Sequence, residues 1–102
     1  MIRRIVKMVF QSDQCAAFEA IFEANKDKIR AFPGCEHLEL WRCRRPSNIY
    51  MTFSHWRDET ALEQYRQSDL FRETWKKTKI LFADRPEAWS LDLRAQCDPP
   101  PR

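Results

Sequence analysis

Ile49-Tyr50-Met51-Thr52-Phe53-Ser54-His55-Trp56-Arg57-Asp58-Glu59-Thr60-Ala61-Leu62 contains a strand, a corner and the start of a helix. Ile49, Met51 and Phe53 alternate with Tyr50, Thr52, Ser54 and Trp56, the period of two that marks a strand. Both sets carry large side chains, so both faces of this strand are expected to be covered. Asp58 then stands where an N-cap belongs. Ala61, Leu62 and Tyr65 continue at helical spacing.

The rest of the chain reads outward from this corner. On the N-terminal side, Cys35 to Cys43 reads as a strand with Leu38 and Leu40 on one face and His37, Glu39 and Trp41 on the other. Pro46-Ser47-Asn48 fits the hairpin loop that joins it to Ile49. Before it, Asp13 to Phe32 reads as a long helix capped by Asp13, with Phe18, Ile21, Phe22, Ile29 and Phe32 on one face and Asn25 interrupting it. Pro33-Gly34 ends that helix, and Gly34 is the chain's one glycine. Ile2 to Phe10 is the first strand: Val6, Met8 and Phe10 share one face, Ile5 and Val9 the other, with Lys7 between them. On the C-terminal side, Ser68 is a second N-cap. It opens a helical piece with Phe71, Trp75, Thr78, Leu81 and Phe82 on its face, ended by Pro86. Trp89, Leu91 and Leu93 alternate with polar residues in a fourth strand.

Strand-helix-strand-strand-helix-strand is the order of the split βαβ unit, an α+β ferredoxin-like βαββαβ sandwich. One domain is expected over residues 1–95, with a disordered tail over 96–102 that carries three consecutive prolines. Helices cover only one face of such a sheet. The other carries Trp and Tyr here, and an exposed aromatic face normally marks an interface. A homodimer through the sheet face would bury it.

Composition narrows the classes of function. The 102 residues are 43% hydrophobic and 32% charged, enough for one core and a solvated surface. Thirteen residues are Phe, Tyr or Trp, which suggests a pocket, an interface or both. The net charge is +3, with basic and acidic residues interleaved. Nucleic-acid binding normally needs a denser basic stripe, so no nucleic-acid partner is expected. No segment reads as a signal peptide or membrane span. Cys15, Cys35, Cys43 and Cys97 form no CxxC pair, so no metal site is expected, and reduced thiols in the cytoplasm are the default.

Three stretches carry a family resemblance: the helix running into Phe32-Pro33-Gly34-Cys35, the corner Phe53-Ser54-His55-Trp56 with the helix start after it, and Tyr65-Arg66-Gln67-Ser68-Asp69-Leu70-Phe71. Together they resemble the antibiotic-biosynthesis-monooxygenase domain family of dimeric α/β-barrel proteins. The resemblance runs from about Ile2 to Arg94. It implies paired ferredoxin-like subunits and a pocket between sheet and helices in each. Members include cofactor-free oxygenases of phenols and quinols, haem-degrading proteins, and proteins of no assigned activity. The haem-degrading branch carries a haem-ligating His where this chain has Trp75, a pocket Trp where it has Tyr65, and an Asn where it has Val6 or Lys7. Without the axial His, haem is not expected to bind in the usual way. The quinol-oxygenase branch commonly places a His at the position of Tyr65.

The expected function is therefore a cofactor-independent monooxygenase acting on a small aromatic phenol or quinol. The alternatives are a non-catalytic ligand-binding or structural dimer of the same fold, and an isomerase or lyase. Cofactor-free oxygenation needs a dry pocket, a proton acceptor and hydrogen bonds to a developing oxyanion. Tyr65 and His55 are the catalytic candidates. Tyr65 can donate a hydrogen bond but is a poor base, because its reference pKa is about 10. His55 could shuttle a proton. Trp56, Phe71, Trp75, Asn25 and Lys7 are the candidate substrate contacts, Lys7 as an attractor of anions. Each also has an ordinary reading: Trp56 as a corner anchor, Phe71 and Trp75 as core, Lys7 as a snorkelling lysine. His37 reads as an interface residue.

Overall fold

Alternating apolar residues and two capped helices assemble into seven elements. In the computed structural model, which describes residues 1–101, these are β1 (Ile2–Val9), α1 (Cys15–Arg30), β2 (Cys35–Arg42), β3 (Ile49–Trp56), α2 (Glu59–Arg66), α3 (Asp69–Lys79) and β4 (Glu87–Leu91). The strands form one antiparallel sheet in the order β2-β3-β1-β4. This is the expected α+β ferredoxin-like fold.

The register defines the two faces, because side chains opposite one another across a sheet lie on the same side. The helix-covered face has the row Ser90–Arg4–Ser54–Leu38 and, next to it, Ala88–Val6–Thr52–Leu40. The open face has Leu91–Arg3–His55–His37, then Trp89–Ile5–Phe53–Glu39, then Glu87–Lys7–Met51–Trp41. A bulge between Cys35 and His37 breaks the alternation of β2. It lets Cys35 turn inward onto Trp56 while His37 stays on the open face.

Two apolar clusters hold the helices to the sheet. Met8, Phe10, Cys15, Phe18 and Tyr50 form one. Phe10 and Phe18 stack with ring centres 4.3 Å apart, and Tyr50 meets both edge-on. Cys35, Trp56, Ala61 and Leu62 form the other, under α2. All four cysteines are free thiols.

Both caps on the C-terminal side are present. The Asp58 carboxylate accepts from the Ala61 N–H at 2.8 Å, and the Ser68 hydroxyl accepts from the Phe71 N–H at 3.1 Å. Four expectations are corrected. Asp13 does not cap α1: a turn closed by the Gln14 N–H on the Gln11 carbonyl places it before the helix, whose N-cap is Gln14 without a side-chain bond. The helix also stops at Arg30 rather than Phe32, since a residue preceding proline disfavours helical backbone. Leu81 and Phe82 are not helical. Their backbone pairs with the end of β1, through Gln11 N–H to Leu81 O and the Phe10–Phe82 bridge. Tyr50 is not on the open face; it is buried under α1, its hydroxyl donating to Glu19 at 2.6 Å. The aromatics of the open face are Trp41, Phe53 and Trp89. Residues 92–101 are exposed and without regular secondary structure.

Candidate functional site

The two apolar clusters do not close on each other, and a cavity of about 110 Å³ remains between them. A cavity of roughly 150 Å³ takes one benzene ring, so this space, somewhat smaller, has room for one ring at most. Its floor is the helix-side face of the sheet, including Val6, Met8, Thr52 and Ser54. Phe18, Phe22 and Ile29 of α1 wall one side. Phe71 and Trp75 of α3 wall the other, stacked 5.7 Å apart at an interplanar angle of 14°. They sit at i and i+4, which brings them together on one helix face. These two rings therefore line the cavity and do not fill it.

Tyr65 and Trp56 form one end. Their rings stack at 4.8 Å, and Tyr65 also meets Phe32 and Phe71 edge-on at 5.3 Å. Burial pushes the Tyr65 hydroxyl well above the ordinary tyrosine range, and the nearby Cys35 thiol adds to this. It thus keeps its proton at neutral pH, where it can donate a hydrogen bond but does not act as a base. Trp56 is 1% exposed, and its Nε1–H donates to Ser54 Oγ at 3.0 Å. That bond satisfies two buried polar groups and fixes the indole as a rigid wall.

Four of the seven residues singled out from sequence, Tyr65, Trp56, Phe71 and Trp75, converge on this cavity. The other three do not. His55 and Lys7 project from the opposite face of the sheet. Lys7 lies between Glu87 and Met51 there. Asn25 turns back on its own helix, its Nδ2 donating to the Ile21 carbonyl at 2.8 Å. This is how a polar side chain is accommodated within the apolar stripe.

Sequence reading missed Arg4 and Arg66. Both line the cavity, and they are its charged residues among those described. The signal was present: Arg4 is in phase with Val6, Met8 and Phe10 along β1, and Arg66 lies one helical turn beyond Leu62. Arg4 is half-buried and donates from Nη1 to Ser90 Oγ at 3.0 Å. Burial, then the Arg66 charge, pull its pKa below the ordinary arginine range, against a smaller opposing effect of Glu63. Outside the cavity, a polar concavity shares Arg4, Leu62 and Arg66 with it and adds Glu59 and Glu63.

His55 belongs to a second cluster, on the open face. Its ring lies 4.9 Å from those of His37 and Phe53. Its Nε2 is shielded from solvent without a hydrogen-bond partner. Burial first, then Arg3 and His37, hold its pKa below the ordinary histidine value, while Glu39 and Glu36 oppose this. Glu39 binds His37 through one oxygen and accepts from Trp41 Nε1 at 2.8 Å through the other. Among the described residues, no three His, Cys, Asp or Glu side chains converge as metal ligands would. No helix among them is long and apolar enough to cross a membrane.

Fold and site together define a ferredoxin-like domain with a small aromatic-lined pocket between helices and sheet. The chain belongs to the antibiotic biosynthesis monooxygenase family, whose model matches residues 1–77. Solved structures agree on the fold. A conserved protein from Methanosarcina mazei Go1 superposes with a TM-score of 0.86 at 18% identity, over 91% of this chain and 92% of that one. A structure described as an antibiotic biosynthesis monooxygenase gives 0.87 at 14% identity, over 93% of this chain and 100% of that one. Rv0793 from Mycobacterium tuberculosis gives 0.85 at 18% identity, over 95% and 98%. No curated protein matches the sequence.

Proposed function

We propose that the chain is a cofactor-independent monooxygenase whose pocket takes a small aromatic phenol or quinol. The observation that carries the proposal is the cavity itself: near the size of one ring, walled by Phe22, Phe71, Trp75 and Trp56, with Tyr65, whose hydroxyl burial keeps protonated at neutral pH, at one end. Family membership supports the reaction class. In the proposed reaction a phenol and O2 give a quinone and water. One oxygen atom bonds to a ring carbon. The other leaves as water with the hydrogens of the phenolic O–H and the displaced C–H. All four electrons that reduce O2 come from the arene. The protein's part is to exclude water, hold the ring and stabilise the oxyanion, with Tyr65 as donor. We further propose that the chain acts as a homodimer in the cytoplasm, joined through the open sheet face. The free thiols are compatible with a reducing compartment.

Oxygen consumption with a panel of hydroquinones and anthrones tests this. Turnover above the uncatalysed rate is expected, highest for single-ring members. No turnover across the panel overturns the oxygenase reading. One observation favours a second reading, a ligand-binding dimer without catalysis: none of the described residues lining the cavity is a His, Asp or Glu able to take a proton from the substrate.

A further inference from the structure

The cavity is apolar, and the stretch of wall it shares with the outer polar concavity is formed by Arg4, Leu62 and Arg66. Glu59 and Glu63 line only the outer concavity, whereas Arg4 and Arg66 line both spaces. A group that reaches from the cavity to this shared stretch meets both arginines. Arg4 has no carboxylate at ion-pair distance among the described residues; its one described bond is to a serine hydroxyl. Arg66 touches Glu63 at 3.3 Å, an exposed contact of the weak kind. Each guanidinium has five N–H donors in a planar fork, so most remain available. The two cations also lie close enough to depress the ionisation of Arg4. An anion between them would relieve that repulsion and accept charge-assisted hydrogen bonds from both.

The ligand's size follows from the cavity, and its charge from this wall. We propose that the pocket is specific for a single-ring hydroxyarene bearing a carboxylate, the ring lying between Phe22 and the Phe71–Trp75 pair and the carboxylate held by Arg4 and Arg66. The planar bidentate match of guanidinium to carboxylate favours that group as the anion. The inference rests on the cavity being the ligand site.

Calorimetric titration under nitrogen, where no turnover occurs, with 4-hydroxybenzoate and its neutral isostere 4-hydroxybenzamide tests the assignment. The acid is expected to bind about tenfold tighter or more, with the preference shrinking as salt rises. Arg66→Gln and Arg4→Gln are each expected to weaken the acid by about tenfold and leave the amide unchanged. Arg66 is exposed, so its variant keeps the fold even if that of Arg4 does not. Equal affinity for acid and amide in the native protein overturns the anion assignment and leaves the pocket standing. A preference that survives Arg66→Gln and Arg4→Gln means that these arginines only lay their stems along the sheet, and also overturns it. Binding of neither compound removes the pocket as the ligand site, and this inference with it. An anion preference without oxygen consumption would instead remove the oxygenase reading and leave this one intact.

Discussion

Tyr65 and His55 are the two titratable groups that sequence put forward for catalysis, and the sheet separates them. Tyr65 is enclosed by Trp56, Phe32 and Phe71 on the helix side. Because burial keeps it protonated beyond the ordinary tyrosine range, the proposed donor role is open to it throughout neutral and mildly alkaline pH. Tyr65→Phe should therefore lower kcat for arene oxidation by about tenfold or more, and by the same factor at every pH from neutral to mildly alkaline. A basic limb in the pH–rate profile that vanishes in the variant would make Tyr65 a base and refute the donor role. His55 affects stability. It binds a proton less readily in the folded chain than in the unfolded one, so the unfolded state gains protons first as pH falls. Stability should decline as pH drops below about 6.5, the ordinary histidine value. Glu39, whose pKa is lowered chiefly by its hydrogen bond to His37, adds a further loss as pH falls below the ordinary carboxylate range. Arg3, His37 and Glu36 are the other charged or titratable groups acting on His55. Thermal melts at neutral pH and near pH 5 check the first loss, which should be smaller in His55→Phe. Equal slopes in the two proteins would dismiss it.

Among the elements, the junction of α1, β2 and α2 depends on Gly34. Its φ is +89°, and its carbonyl accepts from the Arg57 N–H at 2.8 Å, joining the end of α1 to the β3–α2 corner. A Cβ there would lie 2.3 Å from the Ala61 Cβ, which is fully buried. Gly34→Ala combines a left-handed backbone penalty with overpacking and should destabilise by about 3 kcal/mol. Urea unfolding reads this directly, and a loss under about 1 kcal/mol would mean that α2 shifts freely. The Pro33-Gly34 signal was legible without a structure, as were the caps Asp58 and Ser68 and the strand alternation. These are local signals, fixed by backbone chemistry within a few residues. What could not be read was non-local. Asp13 has the right chemistry for a cap, but the preceding turn places it before the helix. Leu81 and Phe82 continue the apolar spacing of α3, but pairing with β1 draws their backbone out of the helix. The site divides in the same way. Tyr65, Phe71 and Trp75 follow from helix spacing, whereas Arg4 and Arg66 come to border one cavity only when α2 packs on the sheet.

For the whole molecule, the proposed homodimer turns on the open face. Its three rows place Ile5, Met51, Phe53, Trp41, Trp89 and Leu91 together, with Arg3, Lys7, Glu39, Glu87 and the two histidines among them. Trp41 and Trp89 are 42% and 45% exposed, large values for indoles in a sheet. Three strands of eight residues and one of five, spaced about 4.8 Å apart, give a footprint of roughly 460 Å². Stable interfaces bury about 800 Å² per partner. Twist and side-chain relief can raise the buried area toward that value only if the whole face is used. A sheet-to-sheet homodimer thus has little area to spare, and one charge in its apolar rows should open it. Trp89→Glu introduces a carboxylate beside Ile5, and removing an indole this exposed costs the single chain little packing. Sedimentation at micromolar concentration should show a dimer for the native chain and a monomer for Trp89→Glu, with unchanged far-ultraviolet circular dichroism. A native monomer at that concentration, or a Trp89→Glu dimer, would mean that the face is covered by something else. The proposed dimer would also link assembly to the pH effect at His55. If the second subunit covers the shielded Nε2, the acid loss of stability should steepen with protein concentration in the native chain and not in Trp89→Glu.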